Sequence, residues 1–170
     1  NHEAAFEKIR RLAPELAIVM VEGVQGFAGA IPAEREFLLE LRRVCTEAEV
    51  VLMFDEVITG FRLAPGGAQE YFGVEPDLAT YGKAPGGGLP LGVIAGTADA
   101  MEMLESTGDF ARDLRERAYF GGTFNAGVLV TAVGTAILRH LQAHPEIFDH
   151  INRLGEAVRT RVASTIAEEG

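Results

Sequence analysis

Two kinds of side chain that can do chemistry follow apolar segments of this 170-residue sequence. Asp55 and Glu56 come directly after five apolar residues in VVLMFDEVITGFR, and Lys83 follows DLATYG and precedes the glycine-rich loop APGGGLP. A carboxylate at the end of a buried strand needs a partner of positive character, because removing an unpaired charge from water is costly. A desolvated lysine amine loses its proton more easily and then becomes a nucleophile. Asp55 and Lys83 are therefore the first candidates for a reactive site.

Both residues also have ordinary structural interpretations. Lys83 could extend into solvent from the end of its strand, and Asp55 could cap a neighbouring turn or pair with Arg62. The other lysine, Lys8, lies on a charged helical segment and has a solvated role by default. An acid beside a cationic ring nitrogen, with a lysine within reach of the ring's aldehyde, is the arrangement that a pyridoxal phosphate site requires.

The segments around these residues alternate between helical and strand patterns. Apolar spacing and turn residues predict helices at 3–13, 31–49, 66–74, 126–142 and 146–169, the second of them beginning with a proline. Short apolar runs predict strands at 16–24, 50–57, 77–83 and 91–96, and the run at 50–57 is typical of a strand buried on both faces.

This alternation indicates an α/β fold with a mixed, mostly parallel sheet flanked by helices. In such sheets, ligands collect at the carboxyl ends of the strands. The rule selects Glu22, Asp55 and Lys83, each of which ends a predicted strand.

Composition excludes several classes of protein. The net charge of −10 argues against a general nucleic-acid or anionic-membrane surface. The single cysteine, Cys45, excludes an internal disulfide and fits a reducing compartment. The sequence contains no signal peptide and no apolar run long enough to cross a bilayer, so we expect a soluble, cytoplasmic protein with one core. It begins with Asn1 rather than methionine, as expected of a segment of a longer protein or, as the second choice, of a processed one.

Three alternative functions are open at this stage. A phosphate-binding loop needs its lysine after the glycines, whereas Lys83 precedes them. A zinc hydrolase is disfavoured because His140 and His144 are followed at once by Pro145 and have no acid between them. The third alternative is a non-catalytic segment that keeps the sheet and not the activity.

The motif FDEVITGFR, followed by GGAQEYFGVEPDLATYGKAPGGGLPLG, resembles the signature of the class III pyridoxal-phosphate aminotransferases of fold type I. Within that family it is most similar to glutamate-1-semialdehyde aminomutases and to aminotransferase domains embedded in polyketide and peptide synthetases. The resemblance runs from about residue 19 to the helix after Asn125, and it is specific because an acid, a lysine, their separation and several glycines all agree.

The resemblance implies a role for five residues. Lys83 would form the internal aldimine and shuttle a proton, and Asp55 would pair with the protonated ring nitrogen. Val57 would pack against the ring, and Glu22 would lie beside the cofactor. Thr123, in FGGTFNAG, would bind the cofactor phosphate across a homodimer interface.

The resemblance also implies the reaction. An amino group would pass between an amine or amino acid and a carbonyl compound, either a small molecule or a carrier-bound substrate. The alternative is a 2,1-aminomutase of the glutamate-1-semialdehyde type. Phe27 stands where many ω-aminotransferases of the family carry a glutamate, which makes ornithine-type or aminobutyrate-type substrates less expected.

Family members are longer than this chain. The resemblance implies that residues 1–145 correspond to the second half of the cofactor-binding large domain, and that 146–170 form a helix leading towards a C-terminal small domain. We therefore expect weak or absent activity from these 170 residues alone.

Overall fold

The structure is a computed structural model that describes residues 2–169. Its helices are α1 (His2–Leu12), α2 (Arg35–Glu47), α3 (Gly67–Phe72), α4 (Ala98–Met101), α5 (Phe110–Glu116), α6 (Val128–Ala143) and α7 (Glu146–Glu169). Its strands are β1 (Ile18–Val21), β2 (Val24–Gln25), β3 (Ile31–Pro32), β4 (Val51–Glu56), β5 (Leu78–Gly82) and β6 (Gly92–Gly96). Residue 1, where the predicted segment 1–145 begins, and residue 170, where the predicted segment 146–170 ends, lie outside the described residues.

Strands β1, β4, β5 and β6 form one sheet in that spatial order. The pairs β1–β4 and β4–β5 are parallel, and β5–β6 is antiparallel. The short strands β2 and β3 pair separately as an antiparallel ribbon. The prediction of an α/β fold with a mixed, mostly parallel sheet is therefore confirmed.

Two predicted boundaries near the start of the chain are wrong. The strand predicted at 16–24 ends at Val21, and the helix predicted from residue 31 begins only at Arg35, after Glu34. Pro32 lies in β3 instead, where it pairs with Val24. A proline has no amide hydrogen to donate, so it is tolerated in a short edge strand of this kind.

Strand β4 is buried on one face, not on both as predicted. Leu52, Phe54 and Glu56 are buried, whereas Val51, Met53 and Asp55 alternate with them and are half-buried. The buried face packs against α2, whose apolar residues recur at helical spacing. The core on this side of the sheet consists of Phe6, Leu38, Leu41, Val44, Cys45, Leu52, Phe54, Ala68, Phe72 and Val74. Full burial of each large apolar side chain contributes roughly 1.5–3 kcal/mol.

Helix α6 packs against the glycine-rich loop that follows β5. A Cβ at Gly87 would lie 3.1 Å from side-chain carbons of Val133 and Ile137, and one at Gly134 would lie 3.0 Å from Leu91. The helix thus holds the segment that begins with Lys83. Within residues 2–169, no helix is long and apolar enough to cross a membrane.

Candidate active site

Asp55 lies at the end of β4, and its carboxylate is held by two donors. Its Oδ1 accepts a hydrogen bond from the amide of Val57 at 2.9 Å and one from the hydroxyl of Thr80 at 3.4 Å. Thr80 is the residue of β5 that pairs with Asp55 across the sheet. Both hydrogen bonds that described residues make to this carboxylate go to Oδ1, which leaves Oδ2 for a cationic or N–H ligand.

Lys83 follows the next strand of the sheet, so it lies at the same edge as Asp55. The side chain of Val57 contacts the backbone just before it, because a Cβ at Gly82 would be 3.4 Å from Cγ1 of Val57. Since Gly82 has no side chain, Val57 can approach the end of β5 closely. The sheet therefore brings together three of the five predicted residues, namely Asp55, Val57 and Lys83.

The backbone of Lys83 is strained. Its φ of 56° and ψ of −91° lie in a region that residues with a Cβ rarely adopt. Its side chain is exposed, and its carbonyl accepts a hydrogen bond from the amide of Gly86 at 3.0 Å. Residues held in such conformations cluster at ligand-binding and catalytic sites, where the surrounding structure enforces them.

The fully buried acid at the end of β4 is Glu56 and not Asp55. Glu56 is 0% exposed and accepts hydrogen bonds from the amides of Ala68 at 2.8 Å and Gln69 at 2.9 Å, and from the hydroxyl of Thr59. The two amides belong to the first turn of α3, where amide groups have no hydrogen-bond acceptor within the helix. The Glu56 carboxylate supplies that acceptor. The expectation that Asp55 is the buried acid of this strand is therefore wrong, since Asp55 is half-buried. Counting alternate residues from Leu52 and Phe54 would have placed Glu56 on the buried face instead.

Tyr81 connects this buried acid with β5. Its hydroxyl accepts a hydrogen bond from Nε2 of Gln69 at 2.7 Å, and its ring lies 5.4 Å from that of Phe61. Burial raises the pKa of the Tyr81 phenol, the charge of Glu56 raises it further, and the hydrogen bond from Gln69 lowers it. Nothing in the sequence alone identified Gln69 or Tyr81 as part of the site.

Glu22 follows β1 and holds a turn. Its Oε2 accepts a hydrogen bond from the amide of Gly26 at 3.0 Å. A Cβ at Gly26 would overlap Cδ1 of Ile58, so this turn lies against the residue that follows Val57. The structure thus connects Glu22 with the Asp55 strand end through Gly26 and Ile58, without a direct hydrogen bond to Asp55.

Thr123 lies in an exposed turn. Its neighbours Phe124 and Asn125 line a cavity of about 710 Å³ that Val57 and Thr80 also line, whereas Thr123 does not line it. Thr123 is therefore close in sequence to the lining of this cavity, and its hydroxyl faces solvent.

The family model for aminotransferase class-III matches residues 1–169 of this chain. The chain belongs to the class-III aminotransferase family. Over 141 residues it is 47% identical to the glutamate-1-semialdehyde 2,1-aminomutase of Acetivibrio thermocellus. These aligned residues make up 83% of this chain and 31% of that protein.

Solved structures of transaminases superimpose closely on this class-III chain. An omega-transaminase from Sphaerobacter thermophilus matches with a TM-score of 0.90 and 36% identity, covering 99% of this chain and 36% of that one. A transaminase with PLP bound matches with a TM-score of 0.87 and 31% identity, and the match covers 100% of this chain and 38% of that one. The chain therefore spans about a third of the length of these relatives.

The class-III family depends on pyridoxal phosphate, and the groups at the edge of the sheet fit that cofactor. Asp55 offers a carboxylate oxygen that can accept a hydrogen bond from a protonated ring nitrogen. Val57 offers an apolar contact beside it, and Lys83 offers an exposed amine at the next strand end. These are an anion, an apolar surface and an amine, which match the ring nitrogen, the ring face and the aldehyde.

Proposed function

We propose that this chain carries the central part of a pyridoxal-phosphate-dependent aminotransferase or aminomutase. The reaction exchanges the amino group of an amine or amino acid for the oxygen of a carbonyl compound, so donor and acceptor balance without a further reactant. The single observation that carries the proposal is the placement of Asp55 and Lys83 at the ends of neighbouring parallel strands, with Val57 lying against Gly82, the residue before Lys83.

The cofactor, when bound, supplies an electron sink, because its protonated ring withdraws the electron pair left by a broken bond at the amine-bearing carbon. Asp55 would keep the ring nitrogen protonated by accepting a hydrogen bond from it, and Oδ2 is the oxygen that Val57 and Thr80 leave available. The amide of Val57 and the hydroxyl of Thr80 fix the orientation of this carboxylate by binding Oδ1. Lys83 would hold the cofactor at its aldehyde carbon through Nζ until the substrate amine displaces it there, and the freed Nζ would then move a proton to and from the amine-bearing carbon of the substrate.

Thr123 and Glu22 complete the proposed set. We propose that the Thr123 hydroxyl binds the cofactor phosphate of a second copy in a homodimer, since it is exposed in this chain and therefore accessible to a partner. Glu22 holds the turn that lies against Ile58, so its proposed role is to shape the edge of the pocket next to Val57.

The choice between aminotransferase and aminomutase depends on whether the amino group stays in one molecule. The relative from Acetivibrio thermocellus supports an aminomutase, and the two solved structures support transfer between two molecules. An isotopically labelled amino nitrogen distinguishes them. Retention of the label in the rearranged substrate indicates an aminomutase, whereas appearance in an added keto acid or aldehyde indicates an aminotransferase.

Cofactor trapping in the full-length protein tests the proposal. The protein is incubated with pyridoxal phosphate, reduced with borohydride, digested and mapped by mass spectrometry. We expect one pyridoxyl adduct on Lys83, which is lost in Lys83→Ala and kept in the matched control Lys8→Ala. Lys8 is an exposed lysine on α1. A folded full-length protein that forms no adduct on Lys83 would overturn the proposal.

A further inference from the structure

A hydrogen-bonded connection joins the ends of β4 and β5 on the face opposite to the Asp55 carboxylate. The buried carboxylate of Glu56 accepts hydrogen bonds from the first turn of α3, including the amide of Gln69 at 2.9 Å. The side chain of Gln69 then donates to the hydroxyl of Tyr81 at 2.7 Å. One residue of α3 thus contacts both strands.

The turn after β4 packs on the same tyrosine. The amide of Gly60 donates to the carbonyl of Glu56 at 2.8 Å, and a Cβ at Gly60 would lie 2.6 Å from Cδ1 of Tyr81. The ring of Phe61 also packs against that of Tyr81, with the ring centroids 5.4 Å apart and the ring planes tilted by 47°. The phenol ring is therefore held by the turn that follows Val57, and its hydroxyl is held by α3.

These contacts lie one or two residues from the proposed reactive groups. Glu56 stands between Asp55 and Val57, and Tyr81 stands two residues before Lys83. Because side chains alternate along a strand, Glu56 and Tyr81 point away from the face that carries Asp55 and Thr80. Their side chains can therefore fix the positions of the two strand ends from the opposite face of the sheet.

We propose that Glu56, Gln69 and Tyr81 are positioning residues that fix the Asp55 carboxylate relative to Lys83. The inference rests on the proposed function. It also accounts for the strained backbone at Lys83, which persists only where neighbouring contacts enforce it. Displacing a reacting group by about 1 Å can reduce the rate by about 10²-fold, so loss of one connecting hydrogen bond has a measurable effect.

The test uses Tyr81→Phe, which removes only the hydroxyl, and Gln69→Met, which removes the donor and keeps the length and the backbone amide. The matched control is Tyr71→Phe, whose hydroxyl lies on the same helix as Gln69 but whose side chain is 63% exposed. Hydrogen exchange of the peptide containing residues 78–87 is measured in the cofactor-free full-length protein. The dissociation constant for pyridoxal phosphate, kcat and KM are measured in the same variants.

We expect both substitutions to speed exchange in this peptide and to lower kcat by about tenfold with little change in KM. The double variant should be no worse than either single variant, since both remove the same hydrogen bond. Additive effects, or a Tyr81→Phe protein that behaves like Tyr71→Phe, would overturn the inference. Failure of the wild-type protein to form the Lys83 adduct would overturn the proposed function separately, while the exchange rates of the cofactor-free protein still decide whether the connection restrains the strand.

Discussion

The carboxylate of Glu56 occupies the space that a side chain at Gly67 would need. A Cβ at residue 67 would lie 2.5 Å from Oε2 and 2.8 Å from Oε1 of Glu56. Gly67 also has a φ of 76°, which residues with a Cβ adopt only with strain. The start of α3 is therefore built around the buried acid, and the acid depends on a glycine at that position.

Gly67→Ala should lower the free energy of unfolding by about 1–3 kcal/mol, because it combines an unfavourable φ with displacement of the Glu56 carboxylate. Urea unfolding of the full-length protein measures the change. Gly155→Ala is the matched control, since a Cβ at this position in α7 would meet nothing within 4 Å. The control should be neutral or stabilising by up to about 1 kcal/mol. An equal loss of stability in both variants would contradict the role of Glu56.

Replacing Lys83 with glycine should give a more stable protein than replacing it with alanine, by about 1–2 kcal/mol. Both variants lack the amine, so both lose the proposed adduct. Only the alanine variant retains a Cβ at the strained φ of 56° and ψ of −91°. Thermal unfolding of the two cofactor-free proteins measures the difference. Equal stability would show that the backbone at residue 83 relaxes once the lysine is gone.

Asp55→Asn should lower kcat/KM by about 10²–10³-fold, because the amide cannot hold a proton on the ring nitrogen as a carboxylate does. Thr80→Val should have a smaller effect of about threefold to tenfold, since Oδ1 of Asp55 keeps its hydrogen bond from Val57. Asp99→Asn, an exposed acid in α4, is the control. Steady-state kinetics with an amine and a keto acid measure all three. An Asp55→Asn protein with wild-type kinetics would contradict the assigned role.

The ionisation of Tyr81 should depend on Glu56. Burial raises the pKa of Tyr81, and the negative charge of Glu56 adds to this effect, so the folded protein keeps the phenol proton to higher pH than the unfolded chain does. The resulting stability is present below about pH 10, the usual pKa of tyrosine, and is lost as pH rises through the folded-state pKa.

Glu56→Gln should therefore lower the pKa of Tyr81, because it removes a negative charge close to the phenol. Ultraviolet difference titration follows the phenolate, and Tyr81→Phe identifies the transition that belongs to this residue. A Tyr81 transition unmoved by Glu56→Gln would show that burial alone sets its ionisation.

The sequence was sufficient to predict the sheet and the two strand ends. Apolar runs separated by helical segments led to parallel strands, and that topology placed Asp55 and Lys83 at one edge. The prediction succeeded because burial and chain direction determine this placement, and both can be read from the order of residue types.

The connection between Glu56, Gln69 and Tyr81 could not be predicted in the same way. It depends on how the short helix α3 sits across two strands, and that position depends on tertiary packing. The ribbon β2–β3 was missed for a similar reason, since its two-residue strands are too short to show a pattern. Glu56 itself was within reach, because it continues the alternation of Leu52 and Phe54.

The adjacent acids of β4 also affect how reliably the strand pairs during folding. A shift of one residue would exchange the faces of Asp55 and Glu56. The shorter aspartate would then face the first turn of α3, which is matched to a carboxylate one methylene further from the backbone. The glutamate would project among the groups that now hold Asp55. Because the two acids differ in length, a strand shifted by one residue would lose well-placed hydrogen bonds on both of its faces. The native pairing of β4 is therefore favoured before any cofactor is bound.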